Sequence, residues 1–263
     1  MKKIQIIGNS QFVTSIAKAY LEQLELQKIG EEWANMLISK GVFKYKNINI
    51  NYLSCNMSLH GPISINELGQ VTYEQGMENL KDLIDADTLI VMLRGNEFAF
   101  QSIVNHPPYD FTYKTDFASL GNQYVHLQDV LKNFDEALSP LYATLVFLRH
   151  FHSKTRIYYV APPCAIENEE SIISNPEVFG ELIGQYGLRK FRIRKKIYDL
   201  MYANFAEKIK SLNIETIMNP SECLTANGGF KAEYAHGCLH GNELYGRALM
   251  IEFERRGILN ASL

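Results

Sequence analysis

Ile4-Gln5-Ile6-Ile7-Gly8-Asn9-Ser10 is the stretch on which the fold turns. A short apolar run stops at a glycine and gives way to polar residues, and Phe12 to about Leu26 then reads as a helix. A run of this kind, bounded by glycine and followed by a helical segment, is the opening unit of a parallel sheet. Ser10 then stands where strand becomes helix, at the positive end of the helix, which favours a developing negative charge.

The same pattern recurs along the chain. Ile48, Ile50 and Tyr52 alternate as a second strand, and Thr88 to Leu93 is a continuous apolar run of the kind buried on both faces. Arg156 to Ala161 ends at Pro162-Pro163, and Ile214 to Met218 ends at Asn219-Pro220. Proline stops a strand because it lacks the N–H that the ladder needs. Helices are predicted between the strands. One runs from about Tyr73 to Ile84 with Thr72 as N-cap, one is marked by Ile193, Ile197, Leu200, Met201, Phe205 and Ile209, and the last spans about Asn242 to Arg255. Such alternation predicts an α/β fold with a mostly parallel sheet and helices on both sides. No repeat, low-complexity tract or linker divides the chain, so residues 1–263 read as a single domain. Phe98 to Phe117, with His106-Pro107-Pro108-Tyr109-Asp110-Phe111, reads as a long irregular loop at the carboxyl ends of the strands, where open α/β sheets bind ligands.

Composition narrows the function classes. The 263 residues are 46% hydrophobic and 21% charged, as in an ordinary globular protein. A net charge of −3 provides no basic field for nucleic acid. The one dense basic run, Arg189, Lys190, Arg192, Arg194, Lys195 and Lys196, reads as the solvated face of a helix. Cys55, Cys164, Cys223 and Cys238 are scattered, without metal-ligand spacing, and suit free buried thiols in a reducing compartment. The apolar run after Met1-Lys2-Lys3 is too short for a signal peptide, and no stretch approaches the ~20 apolar residues of a membrane span. The chain reads as cytoplasmic, with no membrane partner.

Three residues carry candidate chemistry. Ser10 fits a nucleophile turn, or equally a helix N-cap. Asn96, after Gly95 at the end of the third strand, fits an oxyanion donor or a turn asparagine. His240, in His236-Gly237-Cys238-Leu239-His240-Gly241-Asn242, fits a general base or a loop histidine. His236 and His240 have the spacing of a helical metal pair, but Gly237 and Gly241 argue against a helix and no third ligand lies near, so no metal is assigned. Neither the Gly-x-Gly-x-x-Gly nor the phosphate-loop pattern occurs where a nucleotide-binding protein would need it, so no cofactor is assigned.

Taken together, Gly8-Asn9-Ser10, Gly95-Asn96, and His240-Gly241-Asn242 with Tyr245-Gly246 resemble the SGNH/GDSL hydrolase superfamily. The Pro162-Pro163 strand end and the basic helix extend the likeness to a bacterial branch and to the whole chain. The resemblance implies a flavodoxin-like three-layer α/β/α sandwich and a serine esterase. Ser10 would be the nucleophile, His240 the general base, Asn96 an oxyanion donor and Gly61 of His60-Gly61-Pro62 the oxyanion glycine. The family usually has Asp three residues before the histidine. Here that position is Gly237, so the orienting role passes to Glu233 or to a backbone carbonyl. The implied substrate is a small acyl ester, carbohydrate-linked among the options. The alternative is a catalytically impaired protein of the same fold that binds a carbohydrate or small ligand.

Overall fold

The computed structural model describes residues 2–35, 37–55, 64–65, 71–72, 84–119 and 121–260. Its centre is a six-stranded sheet built from β1 (Ile4–Gly8), β2 (Ser39–Tyr45), β3 (Ile48–Ser54), β4 (Thr88–Met92), β5 (Arg156–Val160) and β6 (Ile214–Ile217). The spatial order is β6-β5-β4-β1-β3-β2. All neighbours are parallel except the β2–β3 hairpin, which forms an antiparallel edge. Counting only the parallel strands in chain order gives 2-1-3-4-5, the flavodoxin-like arrangement. Its order reverses beside β1, and that reversal opens the crevice in which such sheets hold ligands.

Residue chemistry explains the layout. β1 and β4 are buried at every position, as strands covered on both faces must be. In β2, buried Ser39, Phe43 and Tyr45 are interrupted by exposed Lys40, Val42 and Lys44, the mixed pattern of an edge. Crossovers running in opposite directions from β1 are expected to place helices on both faces, since parallel connections are right-handed as a rule. One group joins residues 10–20 to the Glu243–Arg255 helix; the other joins the Asn96–Ser102 and Leu127–Phe151 helices to the Phe191–Lys210 helix. The described apolar core runs through all of them as one cluster.

The helical expectations need revision in four places. The predicted Phe12–Leu26 helix is helical from Ser10 but contains a π turn over Val13–Ala17, breaks at Leu21 (φ −100°, ψ 152°), and resumes as a separate helix over Gln23–Ala34. The expected helix from Tyr73 falls mostly outside the described residues, and its proposed cap, Thr72, lies in a short strand paired with Ser64–Ile65. The stretch from Phe98 is not wholly irregular, because Asn96–Ser102 is helical and Tyr109–Asp110 pairs in parallel with Gln123–Tyr124. The fourth revision concerns the basic run. Arg189, Arg194 and Lys196 are buried, not solvated.

Those buried cations have found partners. Arg189 donates to the carbonyls of Val104, Pro107 and Tyr109 at 3.0–3.1 Å. Lys196 meets the Asp110 carboxylate at 2.6 Å and the Phe111 carbonyl at 2.7 Å, with both members of the ion pair almost fully buried. Burial pushes the Asp110 carboxyl up, but Lys196 and the Ser119 and Phe111 N–H groups outweigh it and hold it below the usual range. Half of the basic run is thus turned inward, with Arg189 and Lys196 anchoring the Val104–Phe111 segment, while Lys190 and Arg192 stay exposed as a solvated face. No described helix is long and apolar enough to cross a membrane.

Candidate active site

The strand ends converge at the reversal point. β1 pairs with β4 so that Gly8 lies opposite Met92, which brings Ser10 and the Gly95-Asn96 turn to the same edge. Asn9 caps the helix, its side-chain oxygen accepting from the Gln11 N–H at 3.3 Å. Ser10 is the first helical residue, so its N–H has no acceptor within the helix. The following π turn is a departure from helical regularity that often marks functional sites.

Across the crevice, Arg94 (φ 62°) and Gly95 (φ 131°) both adopt left-handed backbone, after which Asn96 opens its own helix. Buried Glu97 fixes this turn by accepting from the Gly95 N–H at 2.9 Å and pairing with the Arg94 side chain. A side chain at Gly95 would not fit, since its β-carbon would lie 2.8 Å from Pro162 Cβ and 3.0 Å from Gln11 Nε2. Asn96 therefore follows a turn pressed against the neighbour of Ser10.

His240 arrives on a separate arm. Ala235–His236 and His240–Gly241 form a two-residue antiparallel hairpin with His236 opposite His240, so these histidines share no helix. Asn242 fastens the arm to the last helix. Its oxygen accepts from the Leu244 and Tyr245 N–H groups, and its amide donates to the Glu233 and Ala235 carbonyls. Gln11 ties the arm to the serine turn by donating to the Leu239 carbonyl at 3.2 Å. The result is a short contact between distant residues: His240 Nε2 lies 3.0 Å from Ser10 Oγ.

The other ring nitrogen faces a carboxylate the sequence did not identify. His240 Nδ1 lies 3.3 Å from Glu177 Oε1, and the Cys238 N–H donates to Glu177 Oε2 at 3.1 Å. Glu233 or a backbone carbonyl was the expected orienter. Instead the Glu233 backbone carbonyl serves Asn242, and Glu177 occupies the position beside the ring. The reason is spatial. Gly237, the position at which the sequence resemblance leads one to expect Asp, has φ 63°, and a β-carbon there would lie 2.3 Å from Glu177 Cδ. The space left by the missing side chain is filled by a carboxylate from another loop. The Glu177 backbone is itself left-handed (φ 49°), which projects it from a short 3-10 turn over Glu177–Phe179.

Electrostatics follow from these contacts. Burial raises the Glu177 carboxyl, but His240 and the two Cys238 groups together bring it below its ordinary value. The Cys238 thiol is pushed up, first by burial and then by the Glu177 charge, so it stays protonated and inert. The His240 side chain is 12% exposed and that of Glu177 is 23% exposed, so the pair is sheltered yet within reach of solvent. Gly61, the expected oxyanion glycine, lies outside the described residues. No cluster of three or more metal-ligating side chains occurs among the described residues. A clue to Glu177 existed in the sequence, since a glycine where a carboxylate is expected signals a vacancy. Nothing in the sequence said which residue would fill it.

No protein-family profile and no curated protein matches the chain. Similar solved structures include a Streptococcus pneumonia protein named for platelet activating factor, 15% identical with a TM-score of 0.48 over 97% of this chain and 83% of that one. A GDSL-like lipase from Bacteroides thetaiotaomicron is 10% identical, with a TM-score of 0.44 over 98% of this chain and 87% of its own. The periplasmic domain of a Salmonella ser. Paratyphi A lipopolysaccharide acetyltransferase is 13% identical, with a TM-score of 0.45 over 97% and 84%.

Proposed function

We propose that this protein is a serine ester hydrolase in which Ser10 is the nucleophile, His240 the general base and Glu177 the residue that positions the imidazole. The observation that carries this reading is the line Ser10 Oγ–His240 Nε2 at 3.0 Å with Glu177 behind Nδ1 at 3.3 Å. An ionised Glu177, held below its ordinary pKa, accepts a hydrogen bond from Nδ1–H, which leaves the Nε2 lone pair facing the serine hydroxyl.

Ser10 Oγ attacks the acyl carbon while its proton passes to Nε2. The carbonyl electrons move onto oxygen, where the Ser10 N–H, at the positive end of its helix, and the Asn96 amide receive them. Gly61 is the third donor in this scheme. Collapse breaks the bond to the alcohol, which takes the proton back from His240. A water then gives its proton to Nε2, attacks the acyl-enzyme and releases the carboxylic acid, restoring Ser10. The expected substrate is a small acyl ester, including one linked to a carbohydrate.

The alternative of an impaired binding protein has two motives, the glycine at 237 in place of Asp and the 11% aromatic content; Glu177 beside His240 answers the first and leaves the second. The test is labelling by a fluorophosphonate together with turnover of p-nitrophenyl acetate. Wild type is expected to label and turn over, and Ser10→Ala to do neither. Equal turnover by both proteins sinks the reading.

A further inference from the structure

The flank of the site formed by residues 167–187 has an unusual combination of properties. It holds Glu167, Glu169, Glu170, Glu177 and Glu181 and no lysine or arginine. It also exposes large apolar side chains: Val178 is 75% exposed and Leu182 43% exposed. Phe100, 68% exposed, belongs to the same surface, because its ring packs edge-on against that of Phe179 with centroids 5.4 Å apart.

Both ends of this surface begin at the site. Phe100 lies four residues beyond Asn96 in one helix, and residues at that spacing share a helix face. Val178 directly follows Glu177, whose carboxylate holds His240. The apolar surface therefore starts one helical turn from the oxyanion donor and one residue from the positioning carboxylate. Scattered exposed apolar residues are ordinary. One packed on a buried phenylalanine whose own segment exposes two more, beside the candidate reactive centre, is not.

The charge of the flank selects among possible occupants. An anionic membrane surface needs lysines and arginines at the contact, and this segment offers only carboxylates. A phosphorylated or otherwise anionic ester meets the same repulsion. An uncharged hydrocarbon chain gains from the apolar surface and is indifferent to the carboxylates.

We infer that Phe100, Val178 and Leu182 form a rest for the acyl chain of the substrate, so that the esters turned over best carry an uncharged aliphatic acyl group longer than acetyl. The inference rests on the serine hydrolase reading and replaces its small acyl group with a longer one. Each methylene laid on the rest removes apolar area from water, so kcat/KM is expected to rise by roughly twofold per methylene until the surface is covered.

The experiment is a series of p-nitrophenyl acetate, butyrate, hexanoate and octanoate, run on wild type, on Phe100→Ser/Val178→Ser, and on Leu24→Ser. Leu24 is 74% exposed on the separate Gln23–Ala34 helix and controls for general loss of surface apolarity. The expected result is a wild-type hexanoate-to-acetate ratio of about sixteen, twofold over each of four methylenes, kept in Leu24→Ser and brought toward one in the double variant. A wild-type ratio of one or less, or a double variant that keeps the ratio, overturns the acyl rest while leaving the hydrolase intact. Silence toward every ester, with Ser10 unlabelled by fluorophosphonate, removes the hydrolase reading and the rest with it. A dimer in gel filtration that the double variant splits, with the chain-length profile unchanged, assigns the surface to a second copy of the chain instead.

Discussion

The two sides of the candidate site are built on different principles. The serine side is regular: a fully buried strand, a tight turn, a capping asparagine and a helix, all within seventeen residues of one another in Ile4–Tyr20. The histidine side is assembled from loops. Its ring is held by a hairpin of two-residue strands, and its carboxylate comes from a segment 63 residues away. Secondary structure positions the serine side, whereas side-chain contacts position the other, including the left-handed pair Glu177 and Gly237. What the contrast teaches is that a carboxylate's place in such a site is a point in space that more than one part of a chain can supply.

The largest effect expected from breaking this contrast is that of Glu177→Gln. The amide keeps the shape but loses the charge that fixes the tautomer, and kcat is expected to fall by on the order of 10²- to 10⁴-fold with KM little changed. A steady-state measurement on a single ester decides it, and a variant within threefold of wild type shows that Glu177 does not position the ring. Next comes the support beneath the loops. Lys196→Met strands the buried Asp110 carboxylate, and a loss of about 3 kcal/mol in urea unfolding is expected. A loss below about 1 kcal/mol means that the Ser119 and Phe111 N–H groups suffice alone.

A smaller effect follows at Gly237. Alanine there puts a β-carbon on Glu177 Cδ, and the glutamate, being the flexible partner, gives way and leaves His240. A loss of kcat of roughly tenfold is expected, and combining it with Glu177→Gln should add little, since both act on one contact. Full additivity in that double-mutant cycle would separate the two residues. The smallest effect is on stability with pH. The folded-state pKa of Glu177 is below its unfolded value, so its stabilising contribution is present above the ordinary carboxylate range, near ~4.3. That contribution is lost as pH falls through the folded value. The difference in melting temperature between wild type and Glu177→Gln is therefore expected at neutral pH and should shrink below about pH 4. A difference constant from pH 7 to pH 3 contradicts this.

How much of this was legible follows from where each residue sits. β1 and β4 are continuous apolar runs buried at every position, β3 alternates, and β5 and β6 are apolar runs followed closely by proline, so the sequence pattern finds all five. β2 escaped notice. An edge strand alternating lysine with apolar residues resembles a surface loop, and its turn is only the two residues between Tyr45 and Ile48. The 25-residue Leu127–Phe151 helix also went unread, with Pro140 inside it where proline normally argues against a helix. Composition misjudged the run from Arg189 to Lys196, since charge alone does not reveal that carbonyls and Asp110 wait within the fold. Ser10, Asn96 and His240 could be singled out as candidates because each follows or precedes a strong punctuation mark of the chain. Glu177 had no such mark, and its role exists only in three dimensions.

The Ser10–His240 contact joins residues separated by 230 positions. During synthesis the alcohol leaves the ribosome long before its proton acceptor has been made. A growing chain folded as far as β5 carries a serine at a helix start and nothing to activate it. Under the proposed mechanism, hydrolysis would require that translation has passed the His240 hairpin and that the arm has docked, and the appearance of turnover in a timed translation reaction would clock that docking.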